Sequence, residues 1–234
     1  MMGRLFLVGV GPGDPELLTL RAVRILGSVH VVAYPSTSEA ATFARDIAAD
    51  YIAPEAILMP VSVPMALERG PAQLAYDAAA SAFLVHLQAG RDVAWLCEGD
   101  PLFYGSAMYV FARLAEHVAI DVVPGVTSLT ASAAAIIRPL AARNEILKVL
   151  PAPLPDETLR AELVTAEASA IIKVGRHFDR IRGLLEETGH ARGAMVVEYA
   201  TTIRQRITPL TEFRHRDRPY FSTVLCYRGE EAWG

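Results

Sequence analysis

Three Gly/Pro turns, each placed directly after an apolar run, constrain this chain more than any other feature. They are Gly9-Val10-Gly11-Pro12-Gly13-Asp14, Glu98-Gly99-Asp100-Pro101-Leu102-Phe103-Tyr104-Gly105-Ser106 and Pro124-Gly125-Val126-Thr127-Ser128. The runs before them, Leu5 to Val8, Val93 to Cys97 and Ile120 to Val123, read as strands. Turns of this kind at several strand exits point to one ligand crevice at the carboxyl ends of parallel strands. Glycine there permits close backbone approach and positive φ, and proline stiffens the loop.

The rest of the first half alternates strand and helix. Thr19 can cap a helix through about Leu26, Val29–Ala33 reads as a strand, Ala40–Tyr51 as a helix and Ile57–Met59 as a short strand. Pro71 fits the first turn of a helix from Ala72 to about Ala89, closed by Gly90. A helix over Ser106–His117 follows. This alternation predicts a doubly wound, mostly parallel sheet.

Beyond the helix Leu129–Ile137, which Pro139 ends, the pattern changes. Strands are expected at Ile146–Leu150, Ala170–Val174, Ala194–Tyr199, Arg204–Ile207 and Tyr220–Tyr227, with helices at Leu159–Thr165 and His177–Glu187. The last two strands leave no room for a crossover helix, so antiparallel pairing is expected between them. The expected fold class is therefore α/β with two domains: 1–124 built on a mostly parallel sheet, and 125–234 built on a mixed sheet.

With 234 residues, 52% hydrophobic and 21% charged, the chain can bury a substantial core. A net charge of -4 argues against a nucleic-acid protein that works through a global basic field. Cys97 and Cys226 stand in apolar runs and read as buried free thiols, and the six histidines show no ligand spacing, so no metal is expected. The N-terminus enters a strand without a cationic leader, and no apolar run approaches a membrane span, so a cytoplasmic protein without a membrane partner is expected.

The first turn superficially resembles a dinucleotide fingerprint, which keeps a nucleotide-dependent oxidoreductase as an alternative. Asp14 stands where the final glycine belongs, and Pro12 and Pro15 remove amides that a pyrophosphate would use. After the second strand, Tyr34-Pro35-Ser36-Thr37-Ser38 offers no acidic residue for a ribose. A ligand with positive charge or hydroxyls suits the loop better. Glu98 and Asp100 sit at the edge of a core, where they could accept hydrogen bonds, act as a base or, for Asp100, cap a helix. Thr127 or Ser128 can cap the helix that follows. Arg138, Arg143, Arg176 and Arg204 flank element ends and could clamp carboxylates if they converge; Arg206 is placed similarly. Arg214-His215-Arg216-Asp217-Arg218 reads as a solvated loop.

Together these residues resemble the tetrapyrrole methylase family, which uses S-adenosylmethionine. Val8 to Thr19 is similar to its N-terminal signature, and the Glu98 and Pro124 turns are similar to its second and third loops. The likeness continues through Ile172-Lys173-Val174-Gly175-Arg176, Glu198-Tyr199-Ala200-Thr201 and Tyr220-Phe221-Ser222. Leu96 to Ser106 and Arg138 to Asn144 are similar to the branch that methylates C20 of precorrin-2, giving precorrin-3A in cobalamin synthesis. Glu98 departs from the Gly-Gly-Asp-Pro form usual in uroporphyrinogen-III methylases.

The resemblance implies a homodimer with the methyl donor in the cleft between two domains. It implies that Pro12, Glu98, Gly99, Asp100, Thr127 and Ser128 contact the donor from one side, and that Val174, Ala200 and Ser222 hold adenine and ribose from the other. Positioning supplies most of what a methyl transfer from a sulfonium needs. Asp100, Glu98, Tyr104 and Glu198 are candidates for removing the C20 proton, if any protein base is used. Cobalt-precorrin-2 is an alternative substrate, and a tetrapyrrole carrier without chemistry is a further alternative.

Overall fold

The computed structural model describes residues 1–36, 43–64, 69–214 and 220–228. The chain divides into two compact units, Met1–Thr127 and Ser128–Gly234.

In the first unit the order is β1 (Leu5–Gly9), α1 (Leu20–Leu26), β2 (Val31–Pro35), α2 (Phe43–Ala48), β3 (Ile57–Val61), α3 (Arg69–Gln88), β4 (Val93–Cys97), α4 (Ala107–Leu114) and β5 (Ile120–Val123). The strands form one parallel sheet in the order β3-β2-β4-β1-β5. Strand periodicity divides the core into two layers. Leu5, Leu7, Val93, Trp95 and Cys97 pack with Tyr76, Phe83 and Leu87 of α3 and Val110 and Leu114 of α4. Val8, Val10, Ala94 and Leu96 pack with Ala22 and Leu26 of α1 and Ala44 and Ile47 of α2. Helices therefore cover both faces, as expected for a doubly wound sheet. Trp95 and Phe83 are fully buried with ring centres 5.8 Å apart. Burial of side chains this large contributes roughly 1.5–3 kcal/mol each or more.

Local signals act as expected at several helix ends. Thr19 Oγ1 accepts a hydrogen bond from the Ala22 amide at 3.2 Å, starting α1. Gly90 follows α3 with φ +77°. Strand β2 starts two residues later than its apolar run, because the amides of Ser28 and Val29 close the end of α1 on the Ile25 carbonyl. Residues 40–42 of the expected second helix lie outside the described residues.

The second unit contains α5 (Ser128–Ala135), β6 (Leu147–Pro151), α6 (Asp156–Val164), β7 (Ala168–Ile172), α7 (Phe178–Glu187), β8 (Met195–Glu198), β9 (Arg206–Pro209) and β10 (Ser222–Tyr227). Its sheet is mixed, in the order β6-β7-β10-β8-β9. Strands β6 and β7 are parallel, while β10 runs antiparallel to β7 and β8, and β9 antiparallel to β8.

The expected pairing of the last two strands is corrected by this order: β10 inserts between β7 and β8, and β9 forms the edge. Burial explains the outcome. All six residues of β10 are buried, so it needs a partner on each side, whereas Arg206 and Ile207 of β9 are exposed. One face of the sheet packs Leu150, Ile171, Val196, Val224 and Cys226 against Leu159 and Leu163 of α6 and Phe178, Ile181 and Leu185 of α7. On the other, Val197 meets Ala131 of α5. Both cysteines are buried and unbridged. Among the described residues no helix is long and apolar enough to cross a membrane.

Candidate active site at the strand exits

Strand order brings the three Gly/Pro turns together. Because β4, β1 and β5 are adjacent and parallel, the chain leaves them side by side. The Val10 amide bonds the Cys97 carbonyl at 3.0 Å, and Gly11 and Gly99 exchange amide–carbonyl bonds of 3.3 and 2.8 Å. Gly99 has φ +66° and Gly11 φ +81°, backbone that a side chain would strain. A Cβ on Gly9 would lie 2.7 Å from the Gly125 nitrogen and from the Gly99 carbonyl oxygen, and one on Gly125 would lie 2.1 Å from that same oxygen. Three glycines from three turns thus pack backbone on backbone, which no other residue type permits.

Asp100 ties two of these turns. Its Oδ1 accepts from the Leu102 amide at 2.9 Å and its Oδ2 from the Gly125 amide at 3.0 Å. Asp14 holds its own turn, accepting from the Glu16 amide at 2.9 Å ahead of the short 3-10 turn Pro15–Leu17. Burial raises the pKa of the Glu98 carboxyl, a backbone hydrogen bond opposing the shift. Burial, with the charges of Glu98 and Asp100, pushes the Cys97 thiol well up, so it is no nucleophile. Tyr104 is 42% exposed, has φ +54° and stands edge-on to Phe103 at 5.1 Å. Pro12 is buried, Thr127 half-buried, and Ser128 is exposed at the start of α5.

In the second unit one end of the sheet carries the remaining residues. Ser222 of β10 pairs with Glu198 of β8, and Glu198 with Arg206 of β9. Continuing the β10–β7 register places Ser222 level with Lys173, so Val174, Ala200 and Ser222 leave the sheet at the same end. The backbone there is unusual: Lys173, Tyr199 and Thr201 have φ values of +58°, +48° and +70°. No local sequence signal announces these left-handed residues, because glycine or asparagine is the usual occupant. The first of them also ends β7 early, sending Val174 into the turn Gly175–His177.

The four arginines expected to meet carboxylates do not converge. Arg176 follows Val174, and the Arg204 guanidinium stacks 4.0 Å from the centre of the Tyr199 ring, both at the Ser222 end. Arg138 stacks 3.7 Å from the centre of the Tyr227 ring, at the other end of β10, and Arg143 lies in the loop before β6. Five residue steps of strand separate those ends by roughly 17 Å. Glu198 is fully buried on the α6–α7 side of the sheet, which removes it from the groups able to meet a substrate carbon. Among the described residues no three His, Cys, Asp or Glu side chains gather as a metal site. His215, Arg216, Asp217 and Arg218 lie outside the described residues.

A doubly wound unit with clustered glycine turns at its strand exits, followed by a mixed-sheet unit, defines a class. Residues 4–213 match the family Tetrapyrrole (Corrin/Porphyrin) Methylases, and the chain belongs to it. It is similar to the precorrin-2 C(20)-methyltransferase of a Sinorhizobium species, at 38% identity over 96% of this chain and 95% of that protein. It is 39% identical to the cobalamin biosynthesis protein CobIJ of Mycobacterium tuberculosis over 97% of this chain, and it spans about half of that relative's length, 46%. A uroporphyrin-III C-methyltransferase from Thermus thermophilus, solved with S-adenosylhomocysteine, superposes with a TM-score of 0.72 at 29% identity, covering 97% of this chain and 98% of that one.

Proposed function

We propose that this chain is an S-adenosylmethionine-dependent C-methyltransferase that methylates C20 of precorrin-2 to give precorrin-3A in cobalamin synthesis. The observation that carries the reading is the likeness to the Sinorhizobium precorrin-2 C(20)-methyltransferase over nearly the whole of both chains. The Salmonella typhimurium cobalt-precorrin-2 C(20)-methyltransferase, 29% identical over 96% of each chain, keeps the cobalt-containing substrate as a second reading.

The residues fit the donor. The close packing of Gly9, Gly99 and Gly125 brings the three turns together, and the Glu98 and Asp100 carboxylates there suit an ammonium, a sulfonium or ribose hydroxyls. When bound, S-adenosylmethionine supplies an electrophilic methyl group on a positively charged sulfur. The residues proposed to contact it are Pro12, Glu98, Gly99, Asp100, Thr127, Ser128, Val174, Ala200 and Ser222. Both Asp100 oxygens already accept backbone amides, which suits a positioning role. Glu98, whose pKa burial raises, is the candidate proton acceptor, and Tyr104 stands in the same turn. Arg176 and Arg204 take substrate carboxylates. The enzyme acts in the cytoplasm as a homodimer.

The test is an anaerobic assay of purified protein with S-adenosylmethionine, offering precorrin-2 and cobalt-precorrin-2 in parallel. Product mass and methyl position are read. One methyl at C20 of precorrin-2 is expected, at a higher rate than on the cobalt form. Bound S-adenosylhomocysteine with no transfer to either substrate would reject the C20 reaction and leave family membership standing.

A further inference from the structure

We infer that Tyr76 is a positioning residue that fixes the Glu98–Ser106 turn from the core behind it, an inference that rests on the proposed donor site. Tyr76 stands in α3 and is buried. It packs in one cluster with Cys97, the last residue of β4, and with Ala107 and Val110 of α4. Those two elements lead into the turn and out of it, so Tyr76 sits behind both of its ends. Its ring stacks on Tyr109 of α4, with 4.8 Å between centres and 28° between planes. The Arg113 guanidinium stands 5.9 Å from the centre of the same ring and bonds Asp77 at 2.6 Å and Gln73 at 2.8 Å, joining α4 to α3.

Packing alone asks only for the ring, and phenylalanine would supply it without burying a hydroxyl. The hydroxyl has a use at the turn. Ser106 is the N-cap of α4, yet its side chain makes no cap bond. It hydrogen-bonds the Tyr76 phenol instead. Burial pushes the phenol pKa up; the Ser106 hydrogen bond opposes that rise, and the charges of Tyr109, Cys97 and Glu98 add to it. One phenol oxygen is thus coupled to Ser106 and to Glu98, the last and first residues of the turn. Asp100 ties this turn to the Gly125 amide, and Tyr76 ties it to α3. Two anchors on different elements hold the candidate proton acceptor and the donor contacts of the turn in one geometry, and small misplacements of such groups cost rate.

The test compares Tyr76→Phe, Ser106→Ala and the double variant, with Phe83→Leu as a control in the same core layer. Calorimetric titration reads the Kd for S-adenosylhomocysteine, and thermal melts read stability. Each single variant is expected to weaken binding about fivefold, and the double variant no more than either, because one bond is lost in all three. Phe83→Leu should melt lower than Tyr76→Phe and yet keep its Kd within about twofold of the parent. On precorrin-2, Tyr76→Phe should lower kcat about fivefold with KM for the tetrapyrrole little changed. Parent-like S-adenosylhomocysteine binding by Tyr76→Phe overturns the inference. So do losses that add in the double variant, an equal loss in Phe83→Leu, or a parent that binds no S-adenosylhomocysteine. If the binding pattern holds but no precorrin is methylated at C20, Tyr76 stands and the proposed reaction falls.

Discussion

Asp100 Oδ2 accepts a hydrogen bond from the Gly125 amide at 3.0 Å, so one carboxylate joins two turns whose linked residues are 25 positions apart in the chain. The second oxygen holds the Leu102 amide. Asp100 therefore shapes the strand-exit region before any ligand arrives.

Asp100→Ala should lose both bonds, destabilise the protein by about 1–3 kcal/mol and weaken S-adenosylhomocysteine binding at least about tenfold. Asp100→Asn retains one acceptor oxygen and should fall between. Calorimetric titration with S-adenosylhomocysteine, beside urea unfolding, checks both numbers. Parent-like affinity in the alanine variant would remove this turn from the proposed donor site.

Two glycines should respond in opposite directions to alanine. At Gly125 the new methyl would lie 2.1 Å from the Gly99 carbonyl, so Gly125→Ala should cost about 3 kcal/mol or more. At Gly183, inside α7, nothing lies within 4 Å of the new Cβ, and alanine should stabilise by about 0.5–1 kcal/mol. Thermal melts of the two single variants make the comparison.

Burial raises the Glu98 pKa in the folded protein above its unfolded value. The native state therefore binds this proton more tightly, and its contribution to stability is full below the ordinary carboxylate range. That contribution is lost as pH rises through the folded pKa. Without ligand, Glu98→Gln should thus be more stable than the parent at neutral pH, with the advantage shrinking toward acid. Urea midpoints across a pH series check the slope; a parallel pair of curves would contradict it.

The arginines should separate by function. Arg138→Ala loses its stack on Tyr227, with a stability cost of about 1 kcal/mol and little change in KM for the tetrapyrrole. Arg204→Ala and Arg176→Ala should raise that KM about tenfold with kcat less affected. Steady-state kinetics on precorrin-2 distinguish the two groups.

Local sequence carried a good part of this. The bounds of β4 and β5, the Thr19 cap and the turn residues follow from periodicity and from hydroxyl, proline and glycine chemistry acting within a few positions. The three Gly/Pro turns, and with them the family, were readable for the same reason: each is a short segment whose backbone demands particular residues. Pairing was not readable. Strands β9 and β10 are neighbours in the chain but not in the sheet, since a fully buried strand competes for two partners while an edge strand needs one. Nor did any local pattern foretell the left-handed Lys173 and Tyr199, or the scattering of Arg138 and Arg204 to opposite ends of one sheet. Periodicity and turn chemistry belong to a segment and survive in its sequence. Strand order, the meeting of Gly9 with Gly125 and the company each charge keeps come from burial shared among distant segments, and only the folded chain decides them.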